Sequence, residues 1–304
     1  MMHLRFSLAS ALVISATAHA WDPAGHMLVD QIAWKHAEPA VRARVAELAA
    51  KLEKTFNENQ TYNFVTAGCW MDDMRSKKGY EWSKWHYVNI EWTADGVAFA
   101  LPEPPHVVWA IGEALKTLKA ADAAPDKAAE ALAMVMHFVA DVHQPLHATD
   151  RNDDRGGNSV LISGVPFRDL WPGTKPNLHA FWDKAFRFDK AGGKIVEVWQ
   201  CPPTLDRPTS PEEGVIAAQA ARIMAAYPPA PLAREIAKMD PVEWARESHR
   251  LGCVSGYPAD YQPSDHHVVA LSGDFVARSR AVAERQIALA GYRLAHILDT
   301  ALTR

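Results

Sequence analysis

Apolar residues recur at helical spacing along most of the chain. The clearest run is ALAMVMHFVADVHQPLHA, which starts at Ala131 and contains no Gly or Pro before Pro145. Its periodic positions predict a largely buried helix: Leu132, Val135, Met136, Val139 and Val142. The same criterion predicts helices within 21–50 (divided at Pro39), at about 107–121, near 213–226, after Pro241 and at about 274–302. Residues 82–90 are expected to be extended, and residues 160–162 to form a short strand. The chain is therefore predicted to be all-α, that is, mainly helical.

Charged and imidazole side chains interrupt the buried helix at regular spacing. His137 and Asp141 are four residues apart and lie on one helical face. His147 follows Pro145, and His179 and Asp183 repeat the four-residue spacing. A single buried His is usually a hydrogen-bonded core residue, and one His/Asp pair is explained equally well as a buried ion pair. Two pairs and a third His would leave charges that cost several kcal/mol to bury. A divalent ion offsets that cost, and nitrogen and oxygen ligands suit zinc best.

Composition and charge narrow the class of protein. The chain has 304 residues, which allows one large domain or two ordinary ones, and its 48% hydrophobic and 22% charged residues support a sizeable core. The Pro-rich stretch 202–231 is the only candidate boundary, and candidate ligands lie on both sides of every earlier loop, so we expect a single domain. The net charge of −4 counts against a protein that holds long duplexes through a basic surface, but not against one that cleaves nucleic acid with metals.

The first twenty residues have the pattern of a secretory signal peptide. Arg5 precedes a modest apolar run from Leu8 to Ile14, and Ala18-His19-Ala20 forms an A-x-A cleavage site. The run is too short for a membrane span, and no later segment approaches the required length of about 18 apolar residues. An amphipathic first helix is the alternative. We therefore expect a secreted or periplasmic protein whose mature domain is 21–304.

Export would allow the three cysteines to form a disulfide and the one glycosylation sequon to be used. Cys201 and Cys253 flank the Pro-rich stretch and are our predicted disulfide, whereas Cys69 is expected to be a packed thiol. The sequon begins at Asn59 and matters only if the producing cell glycosylates proteins.

Several motifs occur in the order typical of one enzyme family. They are WDPAGH, CWMDD, WHYVN, HFVADVHQPLH, GGN and NLHAFWD within about 21–183, with weaker support from AGYRLA near the C-terminus. Together they resemble the zinc-dependent S1/P1 nucleases, which are related to bacterial zinc phospholipase C. The resemblance implies a single, mostly helical domain of the phospholipase C/P1 nuclease type, with a trinuclear zinc site in a cleft.

The same resemblance implies a ligand set for three Zn²⁺ ions. The first ion takes Asp72, His86, His137 and Asp141, and the second takes His147, His179 and Asp183. The third takes His26, Asp141, and the amino nitrogen and carbonyl oxygen of Trp21 once this residue is the N-terminus. Asp73 is a local rival of Asp72, which the W-x-D spacing favours.

The activity implied by the resemblance is hydrolysis of single-stranded DNA and RNA to 5′-phosphate products, with 3′-nucleotides as further substrates. Asp141 and Arg75 are the expected catalytic residues, although Arg75 could equally be a solvated surface charge. Tyr87, Asn89 and Asn158 are the expected substrate-binding residues. Tyr87 offers a ring on which a base could stack, a contact that tolerates any sequence. Asn89 replaces an acid of fungal and plant members, which leaves base preference open. We expect a monomer with no stable protein partner.

Two alternatives to a nuclease remain open from the sequence. One is a phospholipase C acting on lipid headgroups, but such relatives have a longer gap between Trp21 and His26 and a final Glu instead of Asp183. The other is a non-catalytic zinc-binding protein. Structural zinc sites are closed by four protein ligands, whereas two of the implied sites have three contributing residues each and leave room for water.

Overall fold

The computed structural model describes residues 21–53, 61–77, 79–167, 170, 175–199, 211, 214–263 and 267–303. The predicted signal peptide, the sequon at Asn59 and the predicted disulfide partner Cys201 lie outside the described residues. The predictions that concern them therefore stay predictions.

Helices account for most of the described residues, as the sequence predicted. They are α1 (Pro23–His36), α2 (Pro39–Ala49), α3 (Trp70–Asp73), α4 (Val107–Lys119), α5 (Pro125–Asp141), α6 (Leu178–Trp182), α7 (Val215–Ala226), α8 (Ala233–Ile236), α9 (Pro241–Ser255) and α10 (Gly273–Leu302). Short 3₁₀ turns lie at Ala67–Cys69, Met74–Ser76, Ser83–His86, Pro145–His147, Ala185–Arg187 and Ala230–Leu232. The strands are β1 (Ile162–Ser163), β2 (Phe188–Ala191), β3 (Lys194–Glu197) and β4 (Val269–Ala270).

Two helix pairs organise the core. The apolar helix α5 packs against α4 and against the 3₁₀ turn Ala67–Cys69, and α1 packs against α10. Gly291 allows α1 and α10 to approach closely, because a Cβ there would lie 2.6 Å from the Cβ of Ile32. Pro23 begins α1 after the capping Asp22, whose Oδ1 accepts a hydrogen bond from the Gly25 amide at 3.0 Å. These contacts fix the N-terminal turn against the middle of the molecule.

The sheets are small and differ in part from the prediction. β1 pairs in parallel with β4, while β2 and β3 form an antiparallel hairpin around Gly192 and Gly193. The hairpin was not predicted. Residues 82–90 were predicted to be extended, which is wrong for the turn Ser83–His86 but right from Tyr87 onward. The extended part runs parallel to the segment after His147, and the Val88 amide donates to the His147 carbonyl at 2.7 Å.

The remaining expectations concern cysteines and membrane spans. Cys69 is a buried thiol, as predicted. Cys253 is buried too, with its sulfur 3.5 Å from Nε2 of His249, and it forms no disulfide with another described cysteine. Within the described ranges, none of the helices combines the length and the apolarity that a membrane crossing requires.

Candidate metal centre

Imidazole and carboxylate groups from distant parts of the chain meet at the C-terminal end of α5. The side chains form three groups, and within each group the potential ligand atoms lie within 4.8 Å of one another. The first group is His86, His137 and Asp141; the second is His147, His179 and Asp183; and the third is His26, Asp72 and His137. All except Asp72 are buried, and Asp72 is 10% exposed. The structure thus brings together every side chain that the sequence assigned to a metal.

The first group surrounds the Oδ2 atom of Asp141. This oxygen lies 3.1 Å from Nδ1 of His86 and 3.1 Å from Nε2 of His137, and the two nitrogens are 2.9 Å apart. Asp72 Oδ1 lies 3.8 Å from the same His137 nitrogen. Ligand atoms about 2 Å from one tetrahedral zinc ion lie about 3.3 Å from each other, so the spacing suits one ion.

The second group has a wider spacing. Oδ1 of Asp183 lies 3.9 Å from Nε2 of His147 and 3.8 Å from Nε2 of His179, and the two rings stack with centroids 4.9 Å apart. Gln144 donates from Nε2 to the same Asp183 oxygen at 2.7 Å. The short helix α6 positions this group, since it carries His179 and ends just before Asp183.

The third group includes His26 of α1, which also approaches Asp141 of the first group. Nε2 of His26 lies 3.5 Å from Asp141 Oδ1, and its ring stacks on His137 with centroids 4.0 Å apart. Trp21 is buried beside it, and its indole Nε1 donates to the Ala140 carbonyl at 2.9 Å. Gly25 is required here, because a Cβ would lie 2.7 Å from the Trp21 Cβ. The backbone ligands assigned to Trp21 stay a prediction.

The donor set fits a bound cation. Neither ring nitrogen of buried His26 has a hydrogen-bond partner among the described residues, and Asp141 Oδ1 also lacks one. Leaving such groups unpaired is costly unless an ion binds them. Burial lowers the pKa of His26 and of His86 well below the usual value, and the neighbouring histidines and Arg75 act in the same direction. These two imidazoles are therefore neutral at pH 7, which is the form that binds a metal.

Burial also acts on the carboxylates. It raises the pKa of Asp141 to about 6 and that of Asp183 well above its usual value. Burial would lower the pKa of His137, but the charges of Asp141 and Asp72 outweigh it and raise the value. Carboxylates that are costly to ionise in isolation are those that gain most from an adjacent divalent ion.

Carbonyl acceptors behind the ligands fix the orientation of three imidazoles. Nδ1 of His137 donates to the Gly68 carbonyl at 2.6 Å, and Nδ1 of His179 donates to the Gly156 carbonyl at 2.7 Å. Nδ1 of His147 donates likewise to the backbone carbonyl of His86, at 2.7 Å. A nitrogen that donates in this way leaves the other nitrogen with a lone pair, directed at the centre. His86 is the exception, because its Nε2 contacts the hydroxyl of Tyr80 at 2.5 Å and its Nδ1 faces the group.

The contacts of the two acids in the motif CWMDD show which of them faces the metal centre. Asp73 accepts a hydrogen bond from the Tyr62 hydroxyl at 2.6 Å, whereas Asp72 faces the histidines. The structure therefore supports Asp72 over its rival. Arg75 Nε lies 2.9 Å from Asp72 Oδ1, and only 10% of the Arg75 side chain is exposed. The alternative of a solvated surface charge at Arg75 is wrong.

The expected substrate-binding residues lie around the centre without a demonstrated role. Tyr87 is half-buried directly after the ligand His86, and Asn89 is exposed. Asn158 is half-buried, and its Nδ2 donates to the Arg155 carbonyl within its own loop at 2.8 Å. Their substrate contacts stay predictions. A cavity of 680 Å³ lined by α8 and α10 contains none of the expected ligands.

Sequence reasoning missed a buried network next to the centre. His143 is fully buried, and its Nε2 lies 2.8 Å from Nη1 of Arg293 on α10. Arg293 also donates to the Glu235 carbonyl and to the Glu247 carboxylate, both at 2.7 Å. The AGYRLA motif, which contains this arginine, was the available signal. Arg293 of this motif contacts His143 of the motif HFVADVHQPLH, so the two motifs meet in the structure.

Comparison of the sequence with known proteins identifies the family of this chain. The family model described as S1/P1 Nuclease matches residues 21–303. The chain belongs to the S1/P1 nuclease family. Its similar relatives include endonuclease 2 of Arabidopsis thaliana, 28% identical over 188 residues that cover 57% of this chain and 58% of the relative. Endonuclease 5 of the same plant is 26% identical over 59% of this chain and 62% of its own length. Nuclease S1 of Aspergillus oryzae is 28% identical over 57% and 54%. The match thus spans little more than half the length of these relatives.

Proposed function

We propose that this protein is a secreted or periplasmic zinc-dependent endonuclease that hydrolyses single-stranded DNA and RNA to 5′-phosphate products and also acts on 3′-nucleotides. The observation that carries the proposal is the set of three His/Asp groups, of which one contains Asp141 and another contains Asp72, the partner of the nearly buried Arg75. Membership of the S1/P1 nuclease family supports it.

Three Zn²⁺ ions are proposed for the centre. His86, His137, Asp72 and Asp141 would hold one, and His147, His179 and Asp183 a second. His26 and Asp141 would hold the third, together with the amino nitrogen and carbonyl oxygen of Trp21. Ions held in this way would activate water at neutral pH and polarise phosphoryl oxygens.

The chain's own residues would position the substrate. Burial alone would lower the pKa of Arg75, but the charge of Asp72, with Tyr80 acting in the same direction, outweighs it and raises the pKa, so the guanidinium stays charged. Asp72 holds this guanidinium at the edge of the first group, where it would bind a phosphate oxygen. Tyr87, which follows His86, would stack on a base of an unpaired strand.

The decisive test compares initial rates on a single strand, on its annealed duplex and on a single-stranded RNA, at fixed salt. We expect faster cleavage of both single strands, 5′-phosphate termini in the products, and loss of all rates with a chelator. Equal rates on strand and duplex would contradict the stacking role of Tyr87. Hydrolysis of a phosphatidylcholine analogue in place of nucleic acid would favour the phospholipase alternative, and inactivity on every substrate with zinc bound would favour a non-catalytic protein.

The role of Trp21 needs a free amino group, which the proposed signal cleavage after Ala20 would create. An α-amino group has a pKa near 8 and can lose its proton to a zinc ion at neutral pH, whereas an amide nitrogen is a poor ligand. A protein starting at Trp21 should bind one more zinc than a protein with one extra Ala in front. Equal zinc content and equal rates would remove this ligand.

A further inference from the structure

A second polar surface lies where two segments lead away from the metal centre. The segment after His86 and the segment after His147 run in parallel, and the Trp92 amide donates to the Asp150 carbonyl at 2.8 Å. A fully extended chain rises about 3.3 Å per residue, and Ala148 is bent with ψ of 10°, so the four steps from His147 to Arg151 cover less than about 13 Å. The segment after His147 therefore brings Arg151 close to the second ligand group.

A cavity of 260 Å³ lies at these ends. Its lining includes Trp92, Arg151, Tyr257 and Arg278, and it is called the Arg151 cavity below. The guanidinium carbon of Arg151 lies 4.1 Å from the centroid of the Trp92 ring, 5.3 Å from that of Tyr257 and 5.2 Å from that of Tyr261. Three rings thus hold one guanidinium in place, which reduces the entropy lost when it binds a ligand.

A hydrogen bond also connects the segment that contains Tyr257 of the Arg151 cavity to the second ligand group. The indole of Trp182, which precedes the ligand Asp183, donates to the Gly256 carbonyl at 2.8 Å. Gly256 is followed by Tyr257, which lines the cavity. Both walls are therefore anchored to residues adjacent to metal ligands.

The side chains that line the Arg151 cavity include two arginines and no carboxylate. Among the described residues no acid lies within ion-pair distance of Arg151 or Arg278, although the pKa of Asp274 is lowered chiefly by its hydrogen bond with Lys190 and in part by the charge of Arg278. The nearby Asp150 and Asp154 accept hydrogen bonds from loop amides, at 3.1 Å from Arg155 and 3.0 Å from Gly157. Such a cavity favours an anion with several oxygens, because guanidinium groups bind phosphate with paired hydrogen bonds.

We propose that the Arg151 cavity binds a backbone phosphate of a polynucleotide substrate, a few nucleotides away from the bond that is cleaved. This inference rests on the proposed function. The Arg151 cavity contains none of the predicted ligands, so a phosphate bound there differs from the one at the ligand group, and only a strand with several phosphates would contact both. The rings around Arg151 would add sequence-independent contacts with bases or sugars.

The test compares Arg278→Gln, and Arg278→Gln combined with Arg151→Gln, with the wild-type protein on a dinucleotide and on a longer single strand. Arg278 is exposed near the start of α10, so its removal leaves the core intact. Arg234→Gln on α8 is the matched control, because that arginine is also exposed and does not line the cavity. We expect KM to rise for the longer strand only. The slope of log(kcat/KM) against log salt should become shallower by about 0.7 for each lost phosphate contact.

An unchanged salt slope in Arg278→Gln, or equal losses on the dinucleotide and the longer strand, would overturn the proposal. Arg278→Gln that alters inhibition by inorganic phosphate but leaves cleavage of the longer strand unchanged would show a free-anion site instead, and would overturn it too. If the wild-type protein cleaves neither substrate, the proposed function has failed. Fluorescence anisotropy of the intact labelled strand then still decides the matter, since weaker binding by Arg278→Gln than by Arg234→Gln would support the site, and equal binding would refute it.

Discussion

Replacing Gly68 with Ala should damage both stability and metal binding. A Cβ at this position would lie 2.6 Å from Oδ2 and 3.1 Å from Oδ1 of buried Asp30. The same carboxylate accepts a hydrogen bond from the Gly68 amide at 2.9 Å, and the Gly68 carbonyl accepts from His137 at 2.6 Å. The new methyl group therefore cannot fit without moving the acid or the turn that orients a metal ligand.

Two costs set the expected magnitude. Overpacking a well-filled core costs about 1–3 kcal/mol, and weakening the hydrogen bond between the Gly68 amide and Asp30 costs about 0.5–1.5 kcal/mol. Because the turn can relax in part, we expect Gly68→Ala to lose about 3 kcal/mol of unfolding free energy. Displacement of the Gly68 carbonyl should lower zinc affinity about 10- to 100-fold, as is typical when the partner of a metal-bound His is disturbed.

The matched control is Gly112→Ala in α4, where a Cβ meets nothing within 4 Å. That variant should gain up to about 1 kcal/mol, because Ala is the better helix former. Urea unfolding in excess chelator measures the stability of the chain alone, and competition with a chromophoric chelator measures zinc affinity. Equal stability of the two variants would refute the steric argument. A loss of stability with unchanged zinc affinity would show that the Gly68 carbonyl does not orient His137.

Three further predictions concern buried polar groups. Asp141→Asn should lose at least one zinc ion by atomic emission and nearly all activity, and full zinc content with wild-type turnover would contradict the shared-ligand role. Burial raises the pKa of Asp30 well above its usual value, so the cost of ionising it in the fold appears as pH rises above the unfolded value of about 3.9. Asp30→Asn should therefore gain stability relative to wild type as pH rises above about 3.9 in chelator, and a difference that does not change with pH would exclude this role. Arg293→Met should cost about 3 kcal/mol in urea unfolding, because it leaves the Nε2 of buried His143 without its donor, and a loss below about 1 kcal/mol would argue against the network.

Two pairs of ligands could be predicted from the residues themselves because helix geometry connects spacing to position, whereas the roles of Trp21, His26 and Asp72 were expected mainly from the family resemblance. His137 and Asp141 are one turn apart on α5, and their ligand atoms are 3.1 Å apart. His179 and Asp183 follow the same rule around α6. Gly156 in the GGN motif has φ of 62°, and a Cβ there would lie 2.4 Å from the Leu146 carbonyl, so both its conformation and its surroundings require glycine.

The groups that hold the ligands in place could not be predicted in this way. His137 donates to a backbone carbonyl, and every residue type supplies one, so the sequence contains no mark of the contact. Tyr80 and Asp30 meet the centre through tertiary packing that no local periodicity encodes. The missed hairpin β2–β3 is different, because Gly192 and Gly193 between two short runs were a usable turn signal.

The contact of α1 with α10 determines when a metal can be captured during folding. Ile32 and Gly291 touch although 259 residues separate them, and closing a chain segment of that length costs about 5 kcal/mol of entropy apart from a constant. His26 lies on α1, so its place in the centre depends on this long-range closure. Contacts of such high sequence separation form slowly. We therefore expect the ligand pairs on α5 and α6 to be available first, with complete metal loading as a late step that reports a fully packed molecule.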